Sequence, residues 1–233
     1  MAAVRDKKSF SIGIALAASF FIILAVMLSP VIDGKNVMQF SDEMFSSLAK
    51  SSTYFIPELE KKAEKFAGRS LDIKIKMKSG GDAEKAAKLY AGVADFEVKG
   101  NELKISGDLG AILKRALSDA DAVFKGEKKE LYGMGAKEAL YYWWITLTKI
   151  SKECLLAGKS EEGLFVEDVI KKAIEPAYNF YGIEPKTIAR YYKTVVGLLA
   201  FYVIYTLWWG YAVYFISEGL GIRMEKAKEK KEY

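Results

Sequence analysis

The side chains best equipped for recognition in this chain are aromatic. Tyr141, Tyr142, Trp143 and Trp144 stand in a row in the middle of the sequence, and a second crowd of tyrosine, tryptophan and phenylalanine fills 201–215. A helix points consecutive residues to different sides, so the Tyr141–Trp144 quartet cannot all face one core. One or two of its members are left to line a ligand cleft, a membrane surface or a partner. Acid–base chemistry is thinly provided. There is no histidine, which removes the commonest general base and metal ligand and, with them, Ser-His-Asp and Cys-His nucleophile systems. The one cysteine, Cys154, allows no internal disulfide and no Cys-x-x-Cys pair; it fits a small buried apolar residue. Asp119, Asp121 and Glu130 echo a calcium loop, but Val123 stands at the fifth position and the glycine required at the sixth is missing. These acids are expected on a helix surface. No paired-acid constellation, phosphate-binding glycine loop or cofactor motif is present, so no cofactor and no enzymatic activity are expected.

The elements that carry these residues begin with two apolar runs. Phe10 to Ile32 and Thr194 to Ser217 contain no charged residue, and a hydrocarbon core about 30 Å thick needs roughly 20 helical residues. The expected organisation is a short cytoplasmic N-terminus over 1–9, a transmembrane helix over 10–32, an extracytoplasmic α+β domain over 33–193, a second transmembrane helix over 194–217 and a basic cytoplasmic tail over 218–233. Arg5, Lys7 and Lys8 before the first run, and Arg223, Lys226, Lys228, Lys230 and Lys231 after the second, set this orientation by the positive-inside rule. Arg190 and Lys193 lie on the opposing side. A prokaryotic plasma membrane, with the domain periplasmic or extracellular, is the expected location.

Trp208 and Trp209 lie near the middle of the second run, where lipid-facing helices rely on Leu, Ile and Val. Such a pair points to packing against protein, or against a flat hydrophobic cofactor such as a quinone. Tyr202 and Tyr205 hydroxyls need hydrogen-bond partners in a dry setting. The first run offers Gly13 and Ala17 at four-residue spacing, beside Ser11, Ala15 and Ser19, and small residues let helix backbones approach. Tyr205, Trp208, Trp209, Gly210, Gly13 and Ala17 are therefore the expected partner contacts in the membrane. Two helices cannot bury all these aromatics, so further helices from other integral subunits or from a second copy are expected. Glu218, at the end of the second run, is expected to pair with Arg223 at the interface.

The central region carries a β-α-β-β pattern. Leu71, Ile73, Ile75 and Met77 alternate with charged residues, as do Phe96 with Val98 and Leu103 with Ile105. Gly80-Gly81 is expected to turn the chain, Asp82 to cap a helix through Tyr90, and Gly100-Asn101 to close a hairpin. The first two strands are expected to be parallel and the last two antiparallel, with a covering helix over Leu109 to Phe124. A sheet region over 69–125 is thus followed by a helical region over 135–193. There Leu140, Trp143, Trp144, Leu147, Ile150 and Cys154 repeat at helical spacing, Gly158 and Gly163 break the run, and Pro176 ends or kinks the next helix. Pro185 and Thr187 start a helix running into the second apolar segment. Preceded by the helix that starts at Pro57, this order over Pro57 to Ser106 resembles the BON family of small extracytoplasmic modules linked to membranes and lipids. The run from Asp82 to Val93 is similar to that family's second helix. The resemblance covers about a fifth of the chain and brings no residue roles with it.

The net charge of +5 comes from interleaved lysines and acids, not from the basic stripe that nucleic acid binding requires. The function expected is that of a non-catalytic accessory subunit or assembly factor of a larger membrane complex. The alternative is a membrane-anchored extracytoplasmic sensor or a lipid- or small-ligand-binding protein.

Overall fold

The computed structural model describes residues 4–222. It is a mixed α+β chain, 68% helical with a small sheet. Two compact units divide it, one drawn from Met1–Phe45 with Thr187–Tyr233 and the other from Ser46–Lys186.

The first unit is built on α1 (Lys7–Leu28) and α9 (Ile188–Gly219), both long and apolar enough to cross a membrane. At a 1.5 Å rise per residue they are about 33 and 48 Å long. Asp6 caps α1: its carboxylate accepts from the Lys8 and Ser9 backbone N–H groups and from the Ser9 hydroxyl, and these bonds hold it below the ordinary carboxylate range. The helix ends at Leu28, earlier than the apolar run does. Ser29 is extended because it precedes Pro30, whose ring excludes the helical conformation there. Helix α9 starts at Ile188, with Thr187 at its cap position and Pro185 outside it, and runs unbroken to Gly219. The two helices pack antiparallel at two glycines. A methyl group added to Gly13 would lie 2.6 Å from the Ile216 backbone nitrogen, and one added to Gly219 would lie 2.6 Å from that of Phe10.

The second unit opens within α2 (Val37–Ser52), continues through α3 (Ile56–Ala63), and then enters β1 (Ser70–Lys76). Helix α4 (Gly80–Ala87) leads to the hairpin of β2 (Ala94–Lys99) and β3 (Glu102–Asp108). The cap of α4 is Ser79, three residues earlier than Asp82. The Ser79 hydroxyl accepts from the Asp82 N–H at 3.1 Å and donates to its carboxylate at 2.8 Å, so Gly80-Gly81 opens the helix instead of turning the chain. Gly100 supplies the positive φ at the first position of the two-residue hairpin turn. The sheet order is β1-β3-β2, with both pairings antiparallel. Strands β1 and β2 therefore do run in the same direction, as a helical crossover requires, but β3 lies between them.

The register gives the sheet two unlike faces. Ile73, Ile105 and Phe96 sit side by side, as do Ile75, Leu103 and Val98. On the other face Lys74, Lys104 and Glu97 align, and Lys76, Glu102 and Lys99. Ion pairs Lys74–Glu102, Lys104–Asp72 and Lys99–Glu97 lace this solvated side. Helix α5 (Leu109–Phe124) packs on the central strand β3, with α4 against β2 and β3 and α6 (Ala136–Leu156) against β1. Helix α5 is capped by Asp108, whose carboxylate accepts from the Ala111 N–H and the Gly68 N–H. Ile112, Leu113, Ala116, Leu117, Ala120 and Val123 of α5 are fully buried.

Sequence spacing gives no sign of the next pair of strands. Strands β4 (Glu130–Leu131) and β5 (Met134–Gly135) form a minimal hairpin through Tyr132 and Gly133, both at positive φ. The Tyr132 hydroxyl donates to Asp119 at 2.6 Å, and the Trp143 indole N–H from α6 (Ala136–Leu156) donates to the same oxygen at 2.9 Å. Asp119 is thus buried and shared by three elements; it does not lie on a helix surface. Gly163 does not break a helix either. It lies inside α7 (Ser160–Val169), where Leu155 packs against its bare Cα and the Ser151 hydroxyl bonds its carbonyl at 2.9 Å. A π-helical turn (Ile170–Ile174) and the short α8 (Glu175–Asn179) complete the unit.

Lys50 ties the ends of this unit together. Its buried ammonium donates to the carbonyls of Phe180 and Ile183 at 3.3 and 2.6 Å and sits over the Phe124 ring. The loss of water lowers its pKa. Lys186 N–H bonds Ser47 C=O, and the Ser51 hydroxyl bonds Lys186 C=O. Entry and exit of the domain are thereby stitched to each other.

Asp119→Ala leaves the Tyr132 hydroxyl and the Trp143 N–H without their acceptor, at roughly 1–3 kcal/mol for each buried group. A loss of about 3 kcal/mol is expected on chemical denaturation in detergent, followed by near-ultraviolet circular dichroism. A change below about 0.5 kcal/mol, the scale of ordinary surface substitutions, would refute the organising role of this carboxylate.

Candidate functional site

Two surfaces collect the aromatic residues. The first is a recess of about 360 Å³ on one side of α6, lined by Tyr141, Trp144, Glu175, Tyr178 and Asn179 over a floor of Leu140 and Ile174. Helix periodicity sorts the quartet. Trp143 and Tyr142 turn inward: Trp143 is fully buried with its ring edge-on to Tyr90, and Tyr142 donates its hydroxyl to Asp82 at 2.9 Å. Tyr141 and Trp144, one helical turn apart, stay 38% and 40% exposed with their rings 6.4 Å apart and nearly parallel. Trp144 therefore leaves the apolar repeat of α6 to form the outer wall of the recess.

The opposite wall owes its shape to Pro176. A proline inside a helix lacks an N–H and its ring clashes with the carbonyl four residues back. Here the helix widens before it. The Glu175 N–H reaches the Ile170 carbonyl, a five-residue step, so the ladder gains one residue. The shifted register brings Ile174, Glu175 and Tyr178 to the recess. Glu175 accepts the Trp144 indole N–H at 3.1 Å, which fixes the ring. Lys137 places its ammonium 4.6 Å from the centre of the Tyr178 ring.

The second surface is the α1–α9 hairpin. Tyr205 stacks on Phe20 at 4.1 Å and donates its hydroxyl to the Phe20 carbonyl at 2.9 Å. Trp208 donates its indole N–H to the Leu16 carbonyl at 3.2 Å. Trp209 touches Phe20 and Phe21 yet remains 39% exposed. Gly13 is buried in the contact and Ala17 is partly covered, whereas Ser11 and Ala15 face outward. Gly210 is open, with nothing near its Cα. Tyr202, Tyr211 and Tyr214 also point outward, and their hydroxyls have no hydrogen-bond partner among the described residues.

Cys154, Glu218 and Arg223 are the remaining sequence candidates. Cys154 is buried, and burial pushes its thiol pKa up, which makes it unreactive. Glu218 is exposed at the end of α9, and Arg223 lies outside the described residues. Among the described residues no group of three or more His, Cys, Asp or Glu side chains could hold a metal ion.

No protein-family model matches this chain, and no curated protein or solved structure matches it. The resemblance to BON modules read from the sequence has no family match behind it.

The Tyr142–Asp82 bond has a pH signature. Asp82 is held below its ordinary 3.8, first by the Ser79 hydroxyl and then by Tyr142. Tyr142 is pushed up to about 12, first by burial and then by Asp82. The stability from Asp82 is complete above its unfolded pKa and is lost as pH falls through the lower folded value. That from Tyr142 is complete below its ordinary 10.0 and fades as pH rises through about 12. Tyr142→Phe is expected to move the Asp82 titration, followed by NMR of its carboxyl carbon, upward toward the ordinary value. An unmoved titration would contradict the contact.

Proposed function

We propose that the chain is a two-span membrane protein which displays Ser46–Lys186 on the extracytoplasmic side of a prokaryotic plasma membrane. In this reading it serves as a non-catalytic accessory subunit or assembly factor of a larger membrane complex. One observation carries it. The hairpin satisfies its inner donors, Tyr205 and Trp208, by its own backbone, yet turns Tyr202, Tyr211, Tyr214 and half-open Trp209 outward from α9. Tyr211 and Tyr214 lie within two turns of the end of the apolar run, where headgroups and water accept from such hydroxyls. Hydrocarbon offers Tyr202, deeper in the run, no acceptor, and another transmembrane helix does. The basic residues that flank the apolar runs support the orientation. Contact with a lipid bilayer is compatible with the two apolar helices themselves.

A second reading, a membrane-anchored sensor or ligand-binding protein, is favoured by the recess at Tyr141 and Trp144. Purification of the tagged chain from its native membranes in a mild maltoside separates the two. The accessory role predicts that other integral subunits co-purify. It also predicts that replacing Tyr202, Tyr211 and Tyr214 together with leucine lowers their recovery at least tenfold. A monodisperse single chain with no companions, under conditions that keep the hairpin intact, would overturn the accessory role.

A further inference from the structure

We infer that the recess on α6 is a binding site for an organic cation of the quaternary-ammonium class, a trimethylammonium group being the natural fit. Three electron-rich rings, Tyr141, Trp144 and Tyr178, meet one carboxylate, Glu175, which is the one charged side chain of the lining. Lys137 stands over Tyr178 and Lys171 near Glu175, outside the recess itself. Aromatic faces attract cations through the negative potential above the ring, most strongly when the cation is alkylated and weakly hydrated. A carboxylate beside them adds charge complementarity and disfavours anions.

The site is built, not incidental. Glu175 spends one oxygen on the Trp144 indole N–H at 3.1 Å; its other oxygen makes no hydrogen bond among the described residues. The residue is delivered there by the π-helical turn at Ile170–Ile174, a distortion that recurs at functional sites. Lys137 rests its ammonium 4.6 Å from the Tyr178 ring centre, so a ligand cation meets mainly Tyr141, Trp144 and Glu175, with Tyr178 closing the side wall. The floor residues Leu140 and Ile174 are fully buried and give the methyl groups of such a ligand an apolar seat. A volume of about 360 Å³ lies at the low end of ligand pockets, roughly 300–1,000 Å³, and suits a small headgroup over a long chain. The inference stands on either side of the bilayer and does not rest on the accessory role.

The source of the cation is either a free solute or a lipid headgroup, and the test has an arm for each. The full chain in a maltoside detergent is titrated with choline chloride and with tetramethylammonium chloride, against sodium chloride at equal ionic strength, with tryptophan fluorescence as the readout. In a second arm the chain is reconstituted in phosphatidylglycerol vesicles with and without phosphatidylcholine. A saturable change with the ammonium salts and not with sodium supports a free solute. A change that appears only with phosphatidylcholine supports the headgroup. In either arm Glu175→Gln, which keeps an acceptor for Trp144 and removes the charge, is expected to weaken binding at least tenfold, with the circular dichroism spectrum unchanged. Trp144→Phe is expected to weaken it less, because a ring remains, and calorimetry replaces fluorescence for that variant. No saturable response in either arm, or equal affinity in Glu175→Gln, would overturn the inference.

Discussion

The close approach of α1 and α9 is the constraint on which the rest depends. Gly13 against Ile216 and Gly219 against Phe10 leave no room for a side chain, so the two backbones meet at those points. That proximity puts the Phe20 and Leu16 carbonyls within reach of Tyr205 and Trp208. A helix carbonyl already bonded along the axis has a second lone pair to offer. The hairpin can therefore hold two polar aromatic groups in an apolar setting without water. The same packing uses up the inner face of α9 and commits its other aromatics to whatever surrounds the pair.

The second unit shows a related economy with buried polar groups. Asp119 serves two donors from different elements, and Lys50 serves two carbonyls where the chain leaves the domain. Both charges are met by at least two polar partners, which offsets part of the cost of taking an ion out of water. Lys50 also matters to architecture. By joining the entry helix to the 180–183 segment, it closes the domain at the place where its two connections emerge. Glu175 differs from both, because it is half-exposed and has an oxygen to spare beside three rings.

Much of this is legible in the sequence, for identifiable reasons. The strands announce themselves because a one-sided sheet forces strict alternation. The bounds of α5 match Leu109 to Phe124 because Asp108 is a strong cap and the apolar spacing is regular. Spacing alone misplaces the cap of α4 because Asp82 and Ser79 are partners in one motif, and either could occupy the cap position. It misjudges Asp119 because the partners of that carboxylate include a turn residue, Tyr132, at positive φ, a conformation rare for such a residue. Spacing shows that the quartet must split, but not which residues stay outside; that choice belongs to packing against Tyr90 and Asp82. Pro176 is visible as a break, yet the extra residue inserted before it leaves no compositional trace. The recess therefore cannot be assembled from sequence, since half of its lining depends on that insertion.

Labelling with a membrane-impermeant maleimide tests the central claim, a double crossing with the domain outside, most directly. Cys154 is buried and contributes little background. Single cysteines introduced at exposed Glu60 in the domain and at exposed Lys8 before the first apolar run report the two sides. The account predicts that Glu60→Cys is labelled in intact cells and that Lys8→Cys is labelled only after permeabilisation. The reverse pattern would contradict it, as would release of the full chain from membranes by alkaline carbonate.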